Sequence, residues 1–421
     1  MGIMKVRNEV RQLAVKAHNA SLELALASSK VKNDVLKTVA IEIRKGRKTI
    51  LSANRKDVAC AQKMKLSMSM IDRLTLNEAR IKDMAAAVED VIDLKDPIGQ
   101  VVREWKRPNG LLIQRVVVPL GVIVIIYESR PNVTSECASL CLKSGNSVIL
   151  RGGREAFHSN SVISSIYQMA LRKHRLSPNA VSLVKTPDRR VIDELIQLED
   201  LVNLVIPRGG EALIRRVSQK SRVPVIKHYK GICHVYVDQA ADMDMAEKIV
   251  INAKTQRPGV CNAMETLLVH KRIASQFLPR IGSSLIARRC ELRGDEETRK
   301  WIPGIERATE NDWRTEYLDL VLSIRVVKNI QEAIHHIQKY GSAHTDSIVT
   351  KDMRSADEFI KSVDSSSVMV NASTRFADGN QYGFGAEIGI STDKVHARGP
   401  MGLEGLTSYK YVVRGRGQVR T

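Results

Sequence analysis

From residue 3 to residue 95 apolar side chains recur at i, i+3, i+4 and i+7, the period of amphipathic helices. VRNEVRQLAVKAHNASLELALASS and KNDVLKTVAIEIRKGRKTILSANRKDVACAQK carry the stripe, and DRLTLNEARIKDMAAAVEDVIDL continues it to a stop at Lys95-Asp96-Pro97. This predicts a helical layer laid on something else. From Pro97 the texture changes. VVREWKRPNGLLIQRVVV sets a Pro-Asn-Gly turn between two β-rich runs, a hairpin signal. Strands and helices then alternate. VPLGVIVIIY is a continuous apolar run, as in a parallel sheet covered on both faces. RPNVTSECASLCLKSG reads as helix, NSVILRGG as strand, HSNSVISSIYQMALRKH as helix, AVSLVK as strand, RRVIDELIQL as helix, LVNLVIP as strand, GGEALIRRVSQKS as helix and VPVIKH as strand.

A second series runs CHVYVD, a helix through MAEKIVINAK, METLLVH, a helix near KRIASQFLPRIGSSLI, LVLSIRVV, IQEAIHHIQKYG, DSIVT, RSADEFIKSV and SSVMVNAS, and LTSYKYVVRG ends the chain as a strand. Alternation at this spacing predicts two doubly wound α/β units. At about 100–200 residues per domain, a chain of 421 residues has room for two or three.

Composition narrows the class. No apolar run approaches the ~18 residues of a membrane helix, and the first residues lack the apolar core of a signal peptide. The six cysteines, Cys60, Cys137, Cys141, Cys233, Cys261 and Cys290, form no CxxC and no Cys/His cluster of zinc-like spacing. Cys137 and Cys141, one helical turn apart, read as core-facing. These features predict a reducing cytoplasm and no metal. The net charge is +20, from 66 Lys+Arg against 46 Asp+Glu. That invites a nucleic-acid reading. Aromatic residues make up only 4% of the chain, however, and the basic ones are scattered. Anionic small ligands suit the charge at least as well.

Two turns look built for phosphate. LRGGREA follows one strand and IPRGGEALI joins a neighbouring strand to a helix. Gly lets backbone approach a ligand, and a helix start offers free N–H groups. Neither turn is GxGxxG or a P-loop. Cys261, in TQRPGVCNAMETLLVH, is either a nucleophile or a buried small hydrophobe. Lys254 and Arg257 are the cations near in sequence that could favour its thiolate. No G-x-S-x-G elbow supports a serine hydrolase. His335-His336 falls within a helix with one ring solvated. His228 and His234 flank the junction of the two units, and each histidine reads as structural or superficial.

Longer segments carry a resemblance. TQRPGVCNAMETLLVH, PLGVIVIIYESRPNVTSECASLCLKSGNSVILRGGREA, LVNLVIPRGG, KGICHVYVD and VNASTRFADGNQYGFGAEIGISTDKVHARGPMGLEGLT resemble the gamma-glutamyl phosphate reductases of the aldehyde dehydrogenase superfamily, in their stand-alone bacterial form. The resemblance implies a fold of two doubly wound α/β domains plus a small β oligomerisation arm. It sets an NADP-binding domain at 1–98 and 119–232, a catalytic domain at 233–405, and the arm at 99–118 and 406–421, where the hairpin would pair with the terminal strand. It implies NADPH-dependent reduction of L-glutamyl 5-phosphate to L-glutamate 5-semialdehyde in proline synthesis, with Cys261 forming a thioester. Homo-oligomers, dimers or tetramers, and functional coupling to a glutamate 5-kinase go with it.

The resemblance also assigns residues. The superfamily's water-activating Glu is missing from VIKHYKGICH, which has Lys227-His228 instead. Water attack would waste the thioester, so the absence fits a reductase. Ser129 stands where relatives place an oxyanion-holding Asn. Arg151, Gly152, Gly153 and Arg154, with Pro207, Arg208, Gly209 and Gly210, are implied to hold the cofactor, and Glu316 its nicotinamide ribose. An Arg at the first turn suits a 2′-phosphate. Arg130 and Arg257 are candidates for the leaving phosphate. Asn371, Ser373, Thr374 and Arg375 are candidates for the glutamyl α-end. The rivals are a CoA-acylating or aldehyde-oxidising relative, and a basic nucleic-acid-binding scaffold.

Overall fold

A computed structural model describes residues 3–420. Five helices come first, Ile3–Leu24, Ser29–Lys45, Arg47–Lys63, Met68–Leu74 and Glu78–Asp93. Ser28, Ser67 and Asn77 each accept a first-turn N–H on a side-chain oxygen, which fixes where three of them begin. The apolar stripe of the first helix is its core face, with Val10, Ala14 and Ala17 packed in one cluster with Val122, Val124 and Ile126.

The hairpin forms as β1 (Val101–Lys106) and β2 (Leu112–Pro119). Then come β3 (Val122–Tyr127), β4 (Ser147–Arg151), β5 (Val181–Leu183) and β6 (Leu204–Arg208), all parallel, in the order β5-β4-β3-β6. Every residue of β3 and β4 is buried, which is why β3 is continuously apolar and β4 is so from Val148 to Leu150. Two expectations need correction. The strands ending in the Gly-Gly turns are not neighbours, since β4 and β6 flank β3 on opposite sides. VPVIKH is not a strand: its Pro has no N–H to give, and the run makes a single bridge, Val225 to Val205.

The second sheet has seven parallel strands, β7 (Cys233–Val237), β8 (Met264–His270), β9 (Glu291–Gly294), β10 (Glu306–Arg307), β11 (Val321–Val327), β12 (Thr345–Val349) and β13 (Ser367–Val370), in the order β10-β9-β11-β8-β7-β12-β13. Alternate residues serve opposite faces. Val235, Val237, Leu267 and Val269 pack with Phe277 and Ile281, while Tyr236 and Leu268 pack with Ile334 and Phe359. β9, the short helix Glu296–Trp301 and β10 lie in ELRGDEETRKWIPGIER, where the sequence shows no period to announce them. His335 is exposed and His336 buried. Cys137 and Cys141 are buried in the helix Pro131–Lys143.

A small antiparallel pair, β14 (Ile390–Ser391) and β15 (Gly399–Pro400), precedes β16 (Thr407–Arg414), which pairs along the full length of β2. By compactness the chain forms two units. One runs to Lys227 and takes in 383–389 and the chain from Met401. The other holds 228–382 and 390–400. No described helix is long and apolar enough to cross a membrane.

Candidate active site

Cys261 sits, partly exposed, in the turn between the helix Met243–Thr255 and β8. Two things hold this turn. The next residue, Asn262, is buried; its Nδ2 donates to the Ala377 carbonyl at 2.9 Å and its Oδ1 accepts from Arg375. On the other side Gly231 lies against the Cys261 carbonyl, with no room for a side chain. Arg375 is held again through Nε to Gln256 Oε1 at 2.9 Å. Burial depresses its pKa and Arg257 adds to the effect, while the Cys261 and Asp378 side chains oppose it. Two of the predicted substrate residues, Arg257 and Arg375, therefore share one electrostatic neighbourhood with the thiol.

Lys254 does not. Its ammonium is buried and donates to Glu265 Oε2 at 2.6 Å, so the sequence-based suggestion that it favours the Cys261 thiolate is corrected. Glu316 fares better: its carboxylate accepts the Gly231 N–H at 2.9 Å, one residue's width from the Cys261 carbonyl. Of the loop after β13, Asn371 is spent on the backbone of Thr350, accepting its N–H and donating to its carbonyl, both at 2.9 Å. It sits at φ 56, a turn position that Asn tolerates. Ser373 caps Arg375 N, and Thr374 is buried with a partnerless hydroxyl. Of the four, Arg375 interacts electrostatically with Cys261.

Two histidines that the sequence reading set aside stand beside the thiol. Ring nitrogens of His228 and His344 and the Cys261 sulfur lie within 4.8 Å of one another, and this trio could hold a metal ion. His228 Nδ1 is 2.9 Å from the Ile390 carbonyl, so Nδ1 carries the proton. His344 is fully buried, and burial, with help from His228, pushes its pKa down to about 3. Cys233 points its thiol at the Cys261 carbonyl, 3.2 Å away, and burial raises its pKa well above the ordinary thiol value, so it is no rival nucleophile. Nothing in sequence spacing joins positions 228, 233, 261 and 344; only the parallel register of β7, β8 and β12 brings them together.

In the other unit, the turn after β4 divides its two arginines. Arg151 is buried, and its guanidinium donates to the carbonyls of Gly152 at 2.9 Å and Pro187 at 3.1 Å; it is a structural brace. Arg154 is exposed at the start of the following helical turn. Gly152 is packed too tightly for a Cβ, which would meet Asn160 at 2.2 Å. After β6, Pro207 and Arg208 close the strand, and Gly209-Gly210 lead into the helix Glu211–Lys220. The Gly210 N–H donates to Glu128 Oε2 at 3.2 Å, so a protein carboxylate already stands at this helix start. Ser129, at φ 37, gives both its N–H and its hydroxyl proton to Glu155 Oε1, at 2.8 and 2.7 Å. It therefore offers no free proton to a substrate oxygen as it stands. Arg130 is the N-cap of the helix Pro131–Lys143.

The aldehyde dehydrogenase family profile matches residues 5–300. A gamma-glutamyl phosphate reductase of Geobacter metallireducens is 52% identical over 99% of this chain and 100% of its own length. One from Carboxydothermus hydrogenoformans is 54% identical over 98% of this chain and 100% of its own. The chain belongs to the aldehyde dehydrogenase family, in its gamma-glutamyl phosphate reductase branch.

Solved structures agree. A gamma-glutamyl phosphate reductase from Thermotoga maritima superposes with a TM-score of 0.96 at 49% identity, covering 98% of this chain and 100% of that one. An acetylating aldehyde dehydrogenase from Geobacillus thermoglucosidasius, 17% identical, shares the fold with a TM-score of 0.72 over 99% of both chains. Both the fold class and the family expected from the sequence are thereby borne out. His228 stands next to the nucleophile candidate.

Proposed function

We propose that the protein reduces L-glutamyl 5-phosphate to L-glutamate 5-semialdehyde with NADPH, releasing phosphate, in proline biosynthesis. The observation that carries this is Cys261 in the company of two guanidiniums, in a chain alike over 99% of its length to a curated reductase of that name. A thiolate attacks an acyl carbon, and a nearby cationic field favours both the thiolate and an anionic substrate. Arg257 and Arg375 supply that field in their unit. In this reading they and Arg130 serve the substrate phosphate and carboxylate. Asn371 and Ser373 shape the loop, and Thr374 holds an unspent hydroxyl.

The residues present suit a nicotinamide dinucleotide. Arg154 is exposed beside the turn after β4 and can pair with a 2′-phosphate. Gly209 and Gly210 open a helix start where Glu128 now stands in for an anion. Glu316 is held by Gly231 beside Cys261 and can take a ribose hydroxyl. When bound, NADPH supplies the hydride. The chain's own part is to keep Cys261 ionised and to orient the acyl group.

β16 carries Tyr409, Tyr411 and Val413 on one face of the arm, and all three are exposed. Oligomerisation through this arm belongs to the same reading, and Tyr411→Glu should lower the mass seen by light scattering. A labile acyl phosphate also favours hand-over from a glutamate 5-kinase. The direct test feeds the purified protein glutamate, ATP, a glutamate 5-kinase and NADPH. Semialdehyde trapped with o-aminobenzaldehyde should appear in step with NADPH loss, and loss of NADPH without trapped product would refute the assignment.

A further inference from the structure

His344 is buried with no exposure at all, and its Nε2 has no hydrogen-bond partner. A buried polar ring atom with no protein partner calls for a reason. The rest of the ring is accounted for. Nδ1 lies 2.9 Å from Thr345 Oγ1 and 3.7 Å from Cys233 Sγ. The Cys233 thiol proton goes to the Cys261 carbonyl, and the Thr345 hydroxyl is the donor within reach of Nδ1 in the tautomer that the proposal below takes. In that tautomer Nδ1 is an acceptor and the hydrogen of the neutral imidazole sits on Nε2. The ring stays neutral at working pH, since burial holds its pKa near 3. The site thus contains an N–H donor that waits for an acceptor, and a ring nitrogen of the same residue lies within 4.8 Å of the Cys261 sulfur.

We propose that His344 is a catalytic residue, its Nε2–H donating to the oxygen of the acyl carbon that bonds to Cys261. The proposal rests on the reading of Cys261 as the nucleophile. The step balances without a further reactant. The thiolate pair forms the S–C bond, and the carbonyl π pair moves to oxygen, where the His344 N–H meets it. The oxygen pair then re-forms the carbonyl, and the C–O bond to phosphate breaks with its pair on phosphate. His344 keeps its proton throughout. A donor helps most where charge develops, at about 2.7–3.1 Å from the oxyanion. A ring nitrogen of His344 lies within 4.8 Å of the sulfur, which brings the ring near enough for an oxygen on the new S–C bond to reach it. The Ser129 hydroxyl, committed to Glu155, leaves this role open. The same trio has the shape of a metal site, but Arg257 and Arg375 nearby favour an anion over a dication.

The test uses the whole protein without cofactor. p-Nitrophenyl acetate acylates a reactive cysteine, and stopped-flow absorbance reads one p-nitrophenolate per site. His344→Leu should slow this burst about 100-fold or more, while iodoacetamide alkylation of Cys261, which builds no oxyanion, changes less than threefold. His344→Gln, with an amide N–H, should recover part of the rate. Thr345→Val frees the ring to switch its proton to Nδ1 and should slow the burst about 10-fold without touching the buried ring itself. An unchanged burst in His344→Leu, or in Thr345→Val where the Leu variant does not fold, overturns the proposal. Alkylation slowed as much as acylation also overturns it, because His344 would then act on the thiol. No burst in the wild type would refute Cys261 as nucleophile and His344 with it.

Discussion

The Gly231 amide donates to the Glu316 carboxylate at 2.9 Å, and the same residue lies so close to Cys261 that a Cβ would come within 1.9 Å of the Cys261 carbonyl oxygen. One glycine thus sets the spacing between a candidate ribose ligand and the nucleophile. Gly231→Ala should displace both. A misplacement of about 1 Å can cost on the order of 100-fold in rate, so kcat/KM in the phosphate-dependent assay should fall by about that factor in a protein that still folds. A rate within twofold of wild type would show that the contact is not critical.

Lys254 and Glu265 pair at 2.6 Å with neither side chain exposed, and Glu265 Oε1 also accepts the Leu318 N–H at 3.2 Å. Burial raises the Glu265 carboxyl to about pH 7, against the pull of Lys254. Removing one partner strands the other charge. Glu265→Ala should cost about 3–5 kcal/mol in denaturant unfolding, and it should loosen the turn that carries Glu316.

Acid should destabilise the protein through its buried histidines. Burial holds His336 at about 2 and His344 at about 3, far below the ~6.5 of an unfolded chain. Between those limits the unfolded state binds protons that the native state refuses, so stability falls as pH drops below about 6.5 and continues to fall towards 3. Urea midpoints measured from pH 7 to pH 4 should show this slope. His336→Gln should reduce it by about one proton.

The two arginines of the first turn should behave differently. Arg154→Glu should raise the KM for NADP⁺ about tenfold or more, the worth of a charge-assisted hydrogen bond, and leave that for NAD⁺ within twofold. Arg151→Gln should instead lower stability, because it removes the brace on Gly152 and Pro187. Equal effects of Arg154→Glu on both cofactors would remove the case for the 2′-phosphate contact.

Much of the scaffold could be read along the chain, because β3, β4, β7 and β8 are buried along their whole length and so are rich in apolar residues. What failed was local and polar. Pro224 breaks a run that looks like strand, and β9 and β10 lie in a charged stretch with no period. At the site, Cys261 was visible through its motif. Lys254 was misjudged because sequence shows a cation and not what it is already bonded to. His228 and His344 were passed over because neither has a neighbour in sequence to mark it; they meet Cys261 only through strand register.

The most direct measurement is reduction of NADP⁺ by the purified protein with glutamate semialdehyde, with and without phosphate, beside Cys261→Ser. Activity that requires phosphate and is lost in the variant is the expected result. Equal rates without phosphate would mean that water discharges the thioester, and the assignment as an acyl-phosphate reductase would be wrong.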